Sequence, residues 1–319
     1  MQPDASVPRT TRSLMTSGSF ARFFWAAVIG STGDWITVFA MITLAGRIGS
    51  REGILVALTA RIVPGLALGG VVGVISDRMD RRKLVVFADI GRGVIVPFLA
   101  IVNSLAVLVG ITLVLEMLSL LGQPPRTAMV PRLVKEENLV SANSLMLAAA
   151  YGTIPLGSML LLIIQGFPDI TWGFIPHGNE GLALAFVADA VTFFISGSLI
   201  ASLPKIASPL AEESASVNVK STWGDFKEGI GFLTRDPSVR RVITGMTTAL
   251  FGGGTIIVLG QDFVGNVLQA DQSGFYAIIT MLGVGAVVGL TVLSANEYRL
   301  VHLDLAFGIA TTVTGVGLT

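Results

Sequence analysis

Apolar runs long enough to be membrane-crossing helices alternate with short polar breaks along almost the whole chain. A hydrocarbon core takes about 20 apolar residues per helix. The pattern predicts spans at 20–45, 53–76, 84–103, 105–123, 142–165, 181–202, 241–261 and 274–295, with a ninth starting near 301. The breaks hold Gly, Pro, Asn and charges, as turns do. Residues 203–240 are the exception, polar and Ser-rich, and they separate six spans from the rest. Inside this segment Trp223, Phe226, Ile230 and Leu233 recur at helical spacing. That spacing predicts an amphipathic helix on the inner membrane face; a solvated linker with a packed apolar stripe is the alternative. The expected organisation is a polar tail (1–19), a six-span half (20–202), a linker (203–240) and a truncated second half (241–319). The fold class is all-α, a polytopic helix bundle.

Composition supports a lipid solvent. Apolar residues make up 52% of the chain and charged ones 13%, with a mean hydropathy of +0.76. Soluble domains carry about 25% charged residues. Cysteine is absent and the histidines are His177 and His302 alone, so thiolate chemistry, disulfides and a His-rich metal site are not expected. No cofactor and no nucleic-acid partner are expected, and the zero net charge turns attention to how charge is distributed. Of 21 Lys and Arg, Arg61 and Arg92 fall inside spans and Arg47 and Arg51 in outer loops, leaving 17 on inner segments if the N-terminus is inside. Such a bias orients a multi-pass protein with its tail in the cytoplasm. The tail reads as cytoplasmic and not as a cleaved leader, because no small-residue cleavage site follows a short apolar core.

Six ionisable residues fall within spans: Asp34, Arg61, Asp89, Arg92, Glu116 and Asp189. Each costs at least about 2.5–3.5 kcal/mol at mid-membrane, so function or pairing must retain it. At a rise of about 1.5 Å per residue, Asp34 and Arg61 both lie about 21–22 Å from the inner face, which predicts a pair. Arg92 and Glu116, about 10–12 Å from that face, form a second predicted pair, and Asp89 sits one turn before Arg92 and can share it. Four carboxylates then face two arginines, with no cation placed beside Asp189. A carboxyl left without a partner in a low-dielectric site suits a proton carrier; register-fixing structural pairs are the alternative. Trp35 and Phe39 share a face of the first span, and with Phe193 and Phe194 they are candidates to line a substrate cavity. Packing or lipid contact is the blander reading.

The stretch "GVISDRMDRRKLV" places Gly73, Asp77, Arg78, Arg81 and Arg82 between the second and third spans. Gly73 permits close helix approach, Asp77 suits the positive end of a neighbouring helix, and the arginines suit carboxylates. Anchoring on anionic lipid explains the arginines alone. A weak internal repeat, "GGVVGVIS" at 69–76 and "GAVVGLTV" at 285–292, carries the small pairs Gly69/Gly73 and Gly285/Gly289.

The loop resembles the loop 2–3 signature of the major facilitator superfamily, with Asp80 in place of the second Gly. "TARIVPGLALGGVVGVISDRMDRR", "FADIGRG", "QPPRTAMVPRLVKEENLVSANSL" and "LALAFVADAVTFFISG" resemble its drug:proton antiporter branch, which includes enterobactin exporters and macrolide efflux proteins. The span-five motif of that branch survives only as "GTIPLGSML", with Gly152, Pro155 and Gly157. The resemblance implies twelve spans, so the chain, ending within an apolar run, is expected to lack about three. It implies that the charged loop docks one half against the other and unlocks during transport. It further implies a monomeric, non-enzymatic secondary transporter in a bacterial-type inner membrane, exporting a drug-like, macrolide-like or siderophore-like molecule in exchange for protons, with lipid as its surroundings. A lysophospholipid-type lipid transporter and a non-transporting sensor or scaffold are the alternatives. No Ser/His/Asp motif and no Walker-type loop point to an enzyme or an ATP-driven pump.

Overall fold

The computed structural model describes residues 11–166, 179–204, 240, 244–245, 248, 259–260, 263–270 and 272–295. Among them the regular elements are helical: α1 (Thr11–Thr16), α2 (Gly18–Arg78), α3 (Arg81–Ile95), α4 (Leu105–Leu133), α5 (Leu139–Tyr151), α6 (Ile154–Gln165), α7 (Glu180–Ala201) and α8 (Gln272–Ala295). Five helical stretches are long and apolar enough to cross a membrane: 18–69, 81–101, 105–133, 136–165 and 181–201. The linker expected at 203–240, the span expected at 241–261 and the ninth near 301 lie almost wholly outside the described residues.

Local sequence sets the breaks. At about 1.5 Å per residue the 61 residues of α2 exceed twice the bilayer core. The run is interrupted at Gly49 (φ −135°) and Ser50 (φ 51°), the second in the left-handed region. Beyond the break the chain folds back, and Ile54 and Ala57 join Ala40 and Leu44 in one apolar cluster. The two spans predicted at 20–45 and 53–76 are therefore the arms of this hairpin. Asp80, the departure from the loop signature, starts α3 by accepting the Lys83 backbone N–H at 3.2 Å, the role an N-cap carboxylate performs. After Ile95 the chain tightens into a 3-10 turn, Val96–Ile101, opened by Pro97.

Two elements differ from the hydropathy reading. The span expected at 142–165 is two helices, α5 and α6, parted at Gly152–Thr153, with Pro155 in the first turn of α6. Proline lacks the N–H that a continuous helix needs there. The span expected at 105–123 runs on to Leu133, through Pro124, Pro125 and Pro131. Those prolines read as a loop, but neighbouring helices in a membrane bundle re-satisfy the freed backbone groups. The extension carries Arg126 into the bundle. The tail prediction also changes at its edge, since α1 buries Leu14 with Phe20 and Phe23, and Trp25 donates its indole N–H to the Met15 carbonyl at 3.0 Å.

Burial is inverted where lipid is expected. Along α3, Val85, Ala88, Asp89 and Arg92 point inward while Phe87, Ile90 and Val94 are exposed. Inside, two apolar clusters form. One holds Leu14, Phe23, Val85, Met129, Val130 and Ile200; the other holds Phe39, Met41, Leu99, Leu108, Phe186 and Tyr276. On α2, α3, α4 and α7 the buried polar and charged positions fall between or beside these clusters. The bundle is thus two greasy layers with a charged layer at their junction.

Of the glycines expected at close crossings, Gly73 and Gly289 lie outside the described side-chain set. Gly69 and Gly285, the first members of the repeat's small pairs, have no described neighbour within contact distance of an added Cβ. Tight crossings among the described residues include Gly33 of α2 on α7, Gly157 of α6 on α2 and Gly283 of α8 on Pro155. A Cβ at Gly157 would lie 2.5 Å from Trp35 Cβ and 3.1 Å from the Thr32 carbonyl oxygen. Gly157→Val is therefore expected to destabilise the purified protein by about 1–3 kcal/mol, the range for overpacking. A detergent melt unchanged from wild type would contradict this crossing. α8 also binds α6 through a 2.9 Å hydrogen bond between the Ser158 and Thr280 hydroxyls, and it binds α2 through hydroxyl contact of Tyr276 with Thr43.

Candidate functional site

Four helices place their ionisable groups in the charged layer. Asp89 is its hub and is fully buried. It accepts from Arg92 at 2.8 Å, from Arg126 at 2.7 and 2.9 Å, and from the Ser196 hydroxyl at 2.7 Å. Arg92, one turn along α3, donates from its other terminal nitrogen to Asp34, 3.1 Å from Oδ2. Its guanidinium lies 4.1 Å from the centre of the Phe193 ring, a cation–π stack that adds to its hold. Farther along the bundle Arg61 pairs with Glu116 at 3.0 Å. Asp189 accepts from the Thr192 hydroxyl at 3.0 Å.

The predicted pairings are thus exchanged. Asp34 meets Arg92 and not Arg61; Glu116 meets Arg61 and not Arg92. Depth counted along one helix does not say which helix faces which. Asp89 does share Arg92, as its i, i+3 spacing predicts. Arg126, assigned to an inner loop, was missed as a member because its prolines concealed the helix.

Two hollows flank the Asp34–Arg92 pair. The first, about 440 Å³, is lined by Ala27, Gly30, Thr127, Asn143 and Met146 among others. The second, about 390 Å³, is lined by Trp35, Thr37, Arg61, Glu116, Asp189 and Phe193 among others. Ser31, Asp34, Arg92, Gln123, Ala150 and Tyr151 line both, so the ion pair stands where the hollows adjoin. Each volume lies in the range of small-molecule clefts. Of the four aromatic residues proposed for a cavity, Trp35 and Phe193 line the second hollow. Phe39 instead packs edge-on against Phe275 and Tyr276, with centroids 6.4 Å away. Phe194 is exposed on the other side of α7, at 42%. A pattern of aromatic residues marks buried or lipid faces as readily as a cavity wall.

In the charged loop, Arg82 donates to the carbonyls of Ala201 and Leu203 at 3.2 and 2.5 Å, and Arg81 to that of Ala128 at 3.3 Å. The Arg82 acceptors lie at the C-terminal end of α7, where a cation is favourable. The surroundings of Gly73 and the side chains of Asp77 and Arg78 lie outside the described set. Among the described residues no group of three or more His, Cys, Asp or Glu is arranged to hold a metal.

A family model described as the Major Facilitator Superfamily matches residues 23–318. The chain belongs to the major facilitator superfamily. It is an integral, multi-pass membrane protein of that superfamily, and the apolar helices and inward-facing charges follow from this. Two relatives from Bacillus subtilis (strain 168) are uncharacterized MFS-type transporters: YfiS is 26% identical over 298 residues, covering 90% of this chain and 66% of its own length. YkuC is 25% identical over 276 residues, covering 84% and 61%. A third, named "Putative bacilysin exporter BacE", is 25% identical over 226 residues, covering 70% and 52%. The chain thus spans roughly half to two thirds of the length of these curated relatives.

Proposed function

We propose that this major facilitator chain belongs to a secondary transporter that exports a small molecule by alternating access, driven by protons. The observation that carries the reading is the Asp34–Arg92 pair at the boundary of two ligand-sized hollows. Asp34 is the exposed partner, its side chain 38% accessible, while Arg92 is buried. Protonating Asp34 removes its charge, frees a nitrogen of Arg92 and weakens the partition between the hollows. An equilibrium between two bundle arrangements shifts only when a ligand favours one of them, and a proton on Asp34 does so through this bond. Family membership and the name of the BacE relative support export over catalysis. The drug-like, macrolide-like or siderophore-like substrate, the inner-membrane setting with the N-terminus inside and a monomeric state belong to the same proposal. So does a gating role for the loop around Gly73–Arg82: Arg81 and Arg82 clasp backbone oxygens of α4 and of the end of α7, and loosening them would free α3.

The test is efflux from inside-out vesicles holding the full-length protein, with an imposed proton gradient and macrolide, siderophore and lysophospholipid probes. In Asp34→Asn, gradient-driven accumulation is expected to fall at least ~10-fold, a change of about 1.4 kcal/mol, while exchange without a gradient persists. Full proton-driven activity in this variant would remove Asp34 from the mechanism. Transport of lysophospholipid alone would move the substrate class to lipids.

A further inference from the structure

We propose that Asp189, with the hydroxyls of Thr37 and Thr192, forms a binding site for a small alkali cation of the sodium and lithium class. The inference deepens the transporter reading, on which its role in transport rests, though its binding test does not.

Charge balance is the first ground. The charged layer holds Asp34, Asp89, Glu116 and Asp189 against Arg61, Arg92 and Arg126. The first three carboxylates each lie within 3.1 Å of a guanidinium. Asp189 forms no ion pair among the described residues, and the terminal nitrogens of Arg92, the nearest cation, are taken by Asp34 and Asp89. With all four carboxylates ionised the layer is one positive charge short.

Unmet polar atoms are the second. Asp189 is fully buried and its Oδ2 has no hydrogen-bond partner. Thr37, 5% exposed, turns its buried Oγ1 toward the same carboxylate without completing a well-formed hydrogen bond. Buried polar atoms are nearly always partnered, and exceptions call for an occupant. Thr192 points its hydroxyl to the same carboxylate, on Oδ1. Both Thr37 and Asp189 line the second hollow, which gives the site an entrance.

The backbone is shaped around this cluster. Gly33 stands where a Cβ would collide with Thr192 Oγ1 and Asp189 Oδ1. Its missing side chain is what lets α7 bring these oxygens against α2.

The donor set selects the occupant. It is oxygen only, with one formal negative charge and neutral hydroxyls. Divalent calcium takes more carboxylates, and zinc or copper takes nitrogen or sulfur. A monovalent hard cation matches one carboxylate and completes its shell with water from the hollow.

The experiment is equilibrium binding of radiolabelled sodium to the purified full-length protein in detergent, at fixed pH, with choline holding ionic strength. One saturable site per chain, displaced by lithium, is expected. Asp189→Asn should abolish it, and Thr37→Val and Gly33→Ala should each weaken it at least tenfold. Thr37→Val conserves shape, so it reads the site even if Asp189→Asn fails to fold. Absence of saturable binding in the wild type, or wild-type affinity in Thr37→Val, would overturn the proposal and leave a proton as the occupant. Retained sodium binding in a protein that shows no efflux would fault the transport reading and not the site.

Discussion

Asp89→Asn is expected to lower the unfolding free energy by about 3–5 kcal/mol, the range for leaving one member of a buried ion pair alone. The substitution keeps the shape of the side chain and deletes its charge. Arg126, its side chain only 13% exposed, then has no carboxylate within reach, and Arg92 keeps Asp34 alone. Ser196 retains an acceptor, so its share is small: Ser196→Ala should cost about 1.5 kcal/mol, the lower end for a hydrogen bond to a charged group. Arg126→Met should fall between the two, because Asp89 keeps Arg92 at 2.8 Å. Urea or thermal unfolding in detergent ranks the three. In the double variant Asp89→Asn/Arg126→Met the orphaned cation is gone, and a coupling of about 1–3 kcal/mol is expected. Additive losses would mean that the two groups do not meet as described. The same hub predicts a division of labour. Asp89 is locked by three donors, whereas Asp34 is held by one and reaches the hollows. Proton dependence of efflux should therefore follow Asp34 and not Asp89.

The helices were readable because lipid imposes a length and a composition on each, and nothing else in the chain imitates twenty apolar residues in a row. The membership of the charged layer was nearly readable too. A carboxylate or guanidinium in the middle of a span stands out by its cost, and Asp34, Arg61, Asp89, Arg92, Glu116 and Asp189 were found that way. Their partners were not, since spacing along one helix carries no information about the rotation of the next. Only Asp89 and Arg92, on the same helix, were paired correctly. Arg126 failed for a different reason. Hydropathy placed the end of α4 at residue 123, and Pro124 and Pro125 agreed with it, while the bundle tolerated both prolines inside the helix. Thr37, Thr192, Ser196 and Gly33 left no trace a single sequence exposes. Hydroxyls and a glycine are ordinary in a membrane helix, and their meaning appears only when α2 and α7 are laid together.

Arg92→Lys is expected to reduce proton-driven efflux at least ~100-fold, about 2.7 kcal/mol, while leaving the bundle folded. The charge is conserved, so neither Asp34 nor Asp89 is left in an uncompensated field. The geometry is not conserved. Arg92 uses two terminal nitrogens to reach two carboxylates on different helices, at 3.1 and 2.8 Å, and lays a flat cation over Phe193. An ammonium is a single point with no plane, and lysine is no substitute where a fork is required. It will settle on the buried Asp89, where the field is strongest, and release Asp34. The partition between the two hollows is then open regardless of protonation, and a proton no longer biases one arrangement over the other. Arg92→Met removes the charge as well and should lose stability in addition to flux. Pairing it with Asp34→Asn should recover part of the stability, because the freed carboxylate is gone, and none of the coupled flux. The measurements are thermal unfolding in detergent and gradient-driven uptake into inside-out vesicles, with wild type, Arg92→Lys, Arg92→Met and the double variant side by side. Wild-type flux in Arg92→Lys would show that a positive charge alone suffices between α2 and α3, and the forked bridge would lose its place in the mechanism.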